Sequence, residues 1–419
     1  MANLPPDSPD SPDSPDIAAT PRTSARLILI LGALVAFAPL SIDMYLPALP
    51  QIARHFNATT GAAQYTLAAY FIGMALGQSV YGSLSDHYGR KPPLYWGFAL
   101  YVLASLGCAL APNLASLLAC RFFQALGGCV GMVIPLAMVG DLYDQQTSAR
   151  ILSRLMLVMG AAPMLAPLLG AQLLSQFGWR AIFVVLAAGG LAALIALHLG
   201  LQETRPPSVS QTARAGQTST PTLSATLRVY GRLLTDRPTL AYCLANACAF
   251  AGMFAYIAGA PGVLIQLYGL SPLTFSWAFG FNAFGLIAAS QLNHKLLAYW
   301  RADAVLMVAL SIMALLGFGL LWASHAAADI KIVLPLLFGF VSCIGLISPN
   351  ASAGAMASNT AQAGSASALL GTLEFGIATL AGAAVGFFND GSAHAMGMVM
   401  ALCGMAALAS YQILPRPTN

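Results

Sequence analysis

Five ionisable side chains, Asp43, Arg121, Asp141, His198 and Glu374, fall inside or at the very end of stretches that are otherwise hydrocarbon. Charge within a bilayer is costly, so such residues handle protons or ions, recognise a solute, or pair with one another. Asp43 closes the run that starts at Leu27, about 24 Å along a helix from that start. Arg121 lies about 10 Å from the opposite-side start of a later run, which puts the two at similar depth. A carboxylate and a guanidinium at one depth form either a proton-controlled switch or a static ion pair that sets helix register. Glu374 sits about 15 Å into its run, where a proton site, a substrate contact and a protonated structural group all fit. His198, near the end of its run, reads as a packing or snorkelling residue.

The runs that must position these groups dominate the chain. Of 419 residues 58% are hydrophobic and only 8% are charged, too few charges to cover a water-facing surface. Twelve bilayer-length spans are expected, at 27–48, 61–84, 93–111, 114–140, 151–175, 180–201, 239–266, 272–297, 303–324, 331–356, 364–388 and 393–413. Their continuity implies helices, because barrel strands would alternate over ~10 residues. The predicted fold class is therefore an all-α integral membrane protein, with two six-helix bundles at 27–201 and 239–413. A polar link, 202–238, joins them; its segment TLSATLRVYGRLL either lies on the membrane face or merely fixes topology by its charge. Residues 1–26 open with Ser-Pro-Asp repeats that have nothing to bury and should be disordered, and 414–419 form a short tail.

Fourteen of the 18 Lys and Arg residues fall on the side that holds both termini, which the positive-inside bias makes the cytoplasm. All seven cysteines lie in apolar runs as small hydrophobes, so no disulfide framework is implied. An intramembrane hydrolase lacks support: neither His-Glu-x-x-His nor Gly-x-Ser-x-Gly occurs. A passive channel lacks a repeated row of polar side chains. Two repeated halves fit a secondary transporter, with its binding site between them near the midplane.

Further motifs narrow the class. GSLSDHYGRKPPL, residues 82–94, falls in the turn after the second span and resembles the signature loop of the major facilitator superfamily, through Gly82, Asp86, Gly89, Arg90 and Lys91. By that resemblance Asp86 latches the turn against the start of the eleventh span, near Gly364 to Ser367; the equivalent second-half loop, NHKLLAYWRAD, is degenerate. RFFQALGG, 121–128, resembles the fourth-helix motif of proton-coupled members. MGAAPMLAPLLGAQ, 159–172, resembles the antiporter motif of the fifth helix, with Pro163, Pro167 and Gly170 in place and alanines at two glycine positions. Its prolines remove backbone hydrogen bonds and are expected to bend the helix.

Together with SIDMYLPALP and GSASALLGTLEF, the chain is similar over 27–413 to the Bcr/CflA-type drug:proton antiporters, which confer bicyclomycin and chloramphenicol resistance in bacterial inner membranes. Two departures are Gly140, where an arginine is common, and Glu374, where a glutamine is usual. The resemblance implies proton-coupled efflux of lipophilic drugs by alternating access; a proton-coupled transporter of a metabolite or nutrient is the alternative on the same fold. In this reading Asp43, Arg121 and Glu374 couple protons, and Tyr45, Tyr70, Gln124 and Glu374 line the substrate cavity. No enzyme activity, cofactor, metal or nucleic acid is expected. The expected partners are protons, a small lipophilic drug-like substrate and membrane lipids, with the chain acting as a monomer.

Overall fold

The structure, a computed structural model, describes residues 25–143, 145–201, 203, 235–358 and 363–413, and among these no β-strand occurs. Nearly all of the N-terminal tail, the 222–234 segment and the 414–419 tail lie outside the described residues.

Among the described residues, twelve spans are built from fourteen helices. The first is α1 (Ala25–Asp43), a 3-10 turn (Leu46–Ala48) and α2 (Leu49–His55). Then come α3 (Thr60–Tyr88) and α4 (Lys91–Leu110), followed by a fourth span split into α5 (Leu114–Gly128) and α6 (Val130–Leu142). The fifth and sixth are α7 (Gln145–Phe177) and α8 (Trp179–Gly200). The seventh, α9 (Arg237–Ala260), ends in a π-helical turn, Pro261–Leu267. Last are α10 (Pro272–Leu296), α11 (Ala302–His325), α12 (Ile330–Ser358), α13 (Ala363–Phe387) and α14 (His394–Ile413).

Starts follow local chemistry: the side chains of Thr59, Asn113, Asp236 and Ser271 each accept a first-turn backbone N–H of α3, α5, α9 and α10. Eleven spans are long and apolar enough to cross a membrane. The remaining one, α3, is long enough but carries Gln64, Gln78 and four tyrosines, and it can do so because it packs between α5 and α13 rather than against lipid. Large apolar side chains such as Leu110, Phe177 and Leu315 stand exposed, as a lipid-facing surface requires.

Helices α1 to α8 pack mainly on one another, as do α9 to α14, and the two groups meet along α3 with α13 and α7 with α10. Two spans expected to be continuous are broken. In the first, Pro47 has no N–H to offer the carbonyl of Asp43, so α1 ends there and the chain turns before α2. The fourth breaks at Cys129, just after the pair Gly127 and Gly128. By contrast α7 runs as one helix through both Pro163 and Pro167.

The halves are shut together at the end remote from the 82–91 turn. A Cβ on Gly61 would come within 2.2 Å of the Gly386 carbonyl oxygen, so backbone lies on backbone there. Hydrogen bonds cross the seam from Thr60 Oγ1 to Gln266 Oε1 (2.7 Å), from Asn389 Nδ2 to Gln64 Oε1 (3.4 Å) and from Ser276 Oγ to the Pro167 carbonyl (2.9 Å).

Candidate transport site

Arg121, on α5, is fully buried. Its guanidinium carbon lies 4.2 Å from the centre of the Tyr70 ring, 4.6 Å from that of Tyr45 and 5.8 Å from that of Phe183, an aromatic cage that attracts a cation without neutralising it. One terminal nitrogen, Nη1, donates to the Ser41 carbonyl (3.0 Å) and to Gln124 Oε1 (2.7 Å); Nε and Nη2 have no partner among the described residues. Close helix approach builds this cage. A Cβ on Gly73 would meet the Phe122 carbonyl oxygen at 2.4 Å, so α3 lies directly on α5 and brings Tyr70, one turn away, over the guanidinium. Gly97 and Gly127 press α4 onto α5 in the same way.

The acceptors are themselves fixed. Gln124 Nε2 donates to Ser105 Oγ (2.8 Å), the Ser41 and Tyr101 hydroxyls are 2.7 Å apart, and the Tyr45 and Thr66 hydroxyls are 2.6 Å apart. Tyr45, Tyr70 and Gln124 are expected from the sequence to line the substrate cavity. Here all three are fully buried, because they close around Arg121.

Asp43 is the last residue of α1, 4% exposed, and has no hydrogen-bond or ion-pair partner among the described residues. The 3-10 turn that follows it packs on α10 and on the π-helical turn of the other half, so the carboxyl stands at a break that adjoins the seam. Asn282 Nδ2 donates to Tyr256 OH at 2.9 Å. The Asp43–Arg121 ion pair considered from the sequence is not formed. Equal depth does not give equal azimuth, and Arg121 is turned toward Ser41 and Gln124 instead.

Glu374, halfway along α13 and only partly buried, accepts a hydrogen bond from Asn246 Nδ2 of α9, and has no cationic partner among the described residues. Asn246 is fully buried and its Oδ1 is unpartnered. Phe375, the next residue, lies 5.8 Å ring to ring from Phe254, which touches Phe71 of α3 at 4.3 Å. His198 is exposed, with its Nδ1 3.5 Å from Tyr95 OH. Gly170, of the fifth-span motif, lies against the break after α1: a Cβ there would strike the Met44 carbonyl oxygen at 2.0 Å.

In the 82–91 turn, Gly89 has φ +88°, a conformation that suits glycine, and Arg90 is nearly buried. Arg90 Nε reaches Asp141 Oδ2 at 2.7 Å, Nη2 reaches Oδ1 at 3.2 Å, and Nη1 donates to Ser85 Oγ at 2.8 Å. Glu203 accepts the backbone N–H groups of Arg90 (2.8 Å) and Lys91 (3.0 Å), a carboxylate on the positive end of α4. Sequence reasoning missed Glu203, which follows the sixth span by three residues; a lone acidic residue at that point was the available signal. The side chains of Gly82, Asp86 and 363–368 lie outside the description, and with them the proposed Asp86 contact.

The profile described as Major Facilitator Superfamily matches residues 31–383. The chain is 33% identical over 373 residues to a protein described as an uncharacterized MFS-type transporter, YdgK, of Bacillus subtilis (strain 168), covering 88% of this chain and 90% of that one. It is 29% identical over 390 residues to a bicyclomycin resistance protein homolog of Haemophilus influenzae, covering 92% and 95%. Among solved structures, the partially occluded, inward-open xylose transporter XylE from E. coli superimposes with a TM-score of 0.72 at 15% identity, over 94% of this chain and 98% of that one, a likeness of fold alone.

Proposed function

The chain belongs to the Major Facilitator Superfamily, as a multi-pass membrane transporter and not an enzyme, and from that premise we propose that it exports lipophilic antibiotics across a bacterial inner membrane in exchange for protons. Relatives named for bicyclomycin resistance support the direction and the substrate class. The observation that carries proton coupling is the placement of Asp43: a buried, unpaired carboxyl at a helix break whose turn packs on α10 of the other half. Taking up a proton there removes the desolvation cost of the charge and shifts the balance between two packings that differ by only a few kcal/mol.

Arg121 holds a fixed positive field beside that site rather than pairing with it. Glu374 is the second acidic group on the route, as a contact to proton or substrate. The 82–91 turn, through Gly82, Asp86, Gly89, Arg90 and Lys91, serves as a latch; Pro163, Pro167 and Gly170 form the face of α7 on which the halves rock. The chain works as a monomer with both termini in the cytoplasm, dividing at 202–238 into halves 27–201 and 239–413.

The test is export driven by an imposed pH gradient, in vesicles carrying equal amounts of wild-type and Asp43→Asn protein. Asp43→Asn is expected to reduce gradient-driven export of chloramphenicol to background and to return expressing cells to full susceptibility. Unchanged export by that variant removes the proton site.

A further inference from the structure

Glu374 carries charge in the middle of a span, and its described partner is a neutral amide. That amide is turned so that its N–H₂ serves Glu374 while its oxygen, buried with it, bonds to nothing among the described residues. Two acceptors, one of them anionic, thus stand together without a matching cationic donor. A buried acceptor left unmatched costs free energy that an incoming N–H group recovers. Arg121, the intramembrane cation candidate, is sealed under Tyr45 and Tyr70 and makes no contact with this pair among the described residues.

The surroundings add an apolar half. Phe375 follows Glu374 in the chain and lies at a tilt beside Phe254, which is about two turns along α9 from Asn246. Phe254 in turn meets Phe71 from the first half. An aromatic body resting on Phe375, the partly exposed ring of the three, would place an attached protonated nitrogen near the Glu374 carboxylate, in reach of both cation–π and charge-assisted contacts. Asp43 is separate. Along the helices it lies about 10 Å farther from the 82–91 end than Glu374, so a cation held by Glu374 leaves Asp43 free for its proton.

We propose that Glu374 and Asn246, backed by Phe254 and Phe375, form a binding subsite for lipophilic aromatic cations that carry an N–H group. This rests on the reading of the chain as a drug exporter and adds to it a charge preference. Neutral and anionic compounds gain nothing from the carboxylate.

The full-length protein in lipid nanodiscs is titrated with proflavine, a planar aromatic cation bearing N–H groups, and with chloramphenicol, which is neutral. The readout is the ratio of the two dissociation constants. In Glu374→Gln the preference for proflavine is expected to fall about tenfold or more, the loss that one charge-assisted hydrogen bond carries. Asn246→Leu should lower it by a smaller factor, and Glu374→Asp should keep most of it, which separates lost charge from a damaged fold. A ratio that stays the same in Glu374→Gln, or that falls equally in Glu374→Asp, overturns the subsite. If instead the wild-type protein shows no gradient-driven export of either compound, the exporter reading itself fails, and the subsite with it.

Discussion

The two halves secure the same end of the molecule by different chemistry. In the first, charge does the work: Arg90 is clasped by Asp141, and Glu203 caps the two backbone N–H groups that open α4. In the second, Asp303 at the start of α11 accepts the hydroxyls of Tyr242 (2.7 Å) and Tyr411 (2.8 Å), while Asn350 Nδ2 donates to Asn293 Oδ1 at 2.7 Å. The same contrast holds deeper in, where the first half seals Arg121 completely and the second leaves Glu374 partly open on an asparagine. The first half uses Arg90 and Arg121 as framework, and the second leaves the acidic Glu374 partly open.

The largest effect that would break this contrast comes from leaving a framework charge alone. Arg90→Met strands Asp141 and should lower stability by about 3 kcal/mol, whereas removing both amides in Asn293→Leu/Asn350→Leu should cost about 1 kcal/mol or less. Denaturation of the purified protein in detergent measures both, and equal losses would erase the distinction between the ends. Next in size is backbone contact. Gly170→Ala drives a methyl group into the Met44 carbonyl and should cost about 2 kcal/mol, while Gly376→Ala, with nothing within 4 Å of its Cβ, should be neutral or mildly stabilising by about 0.5 kcal/mol. A comparison of the two melting temperatures reads this directly. Smallest is Tyr411→Phe, which takes one of two donors from Asp303 and should cost about 1 kcal/mol; the same change at Tyr242 should match it if the two hydroxyls share the load equally.

Spans were legible because burial in lipid demands long apolar runs, and α3 was found even though its glutamines and tyrosines make it the least apolar. The breaks were harder. Pro47 was visible, but a proline inside an apolar run does not say whether the helix bends through, as α7 does at Pro163 and Pro167, or stops, as α1 does at Asp43. Asp43, Arg121 and Glu374 stood out as charges in hydrocarbon. Their partners did not, because depth along a helix follows from counting residues while direction around it follows from packing: Gly73 turns Tyr70 onto Arg121, and nothing in the local sequence announces that. Arg90 and Asp141 were each noticed for separate reasons, and only the fold joins them. Glu203 lacked even that, since a residue just past a span shows its role only when a helix start is folded beside it.

The seam between the halves at the far end is smooth rather than toothed. Where Gly61 lies on Gly386, and Gly280 on the chain at Met164, backbone meets backbone, with Tyr65, Gln64 and Asn389 packed around the first of these contacts. The hydrogen bonds that hold these surfaces together are neutral, and water can replace them when the surfaces part. A wall closed by backbone contact and neutral hydrogen bonds carries no ion pair that must be desolvated again each time it closes.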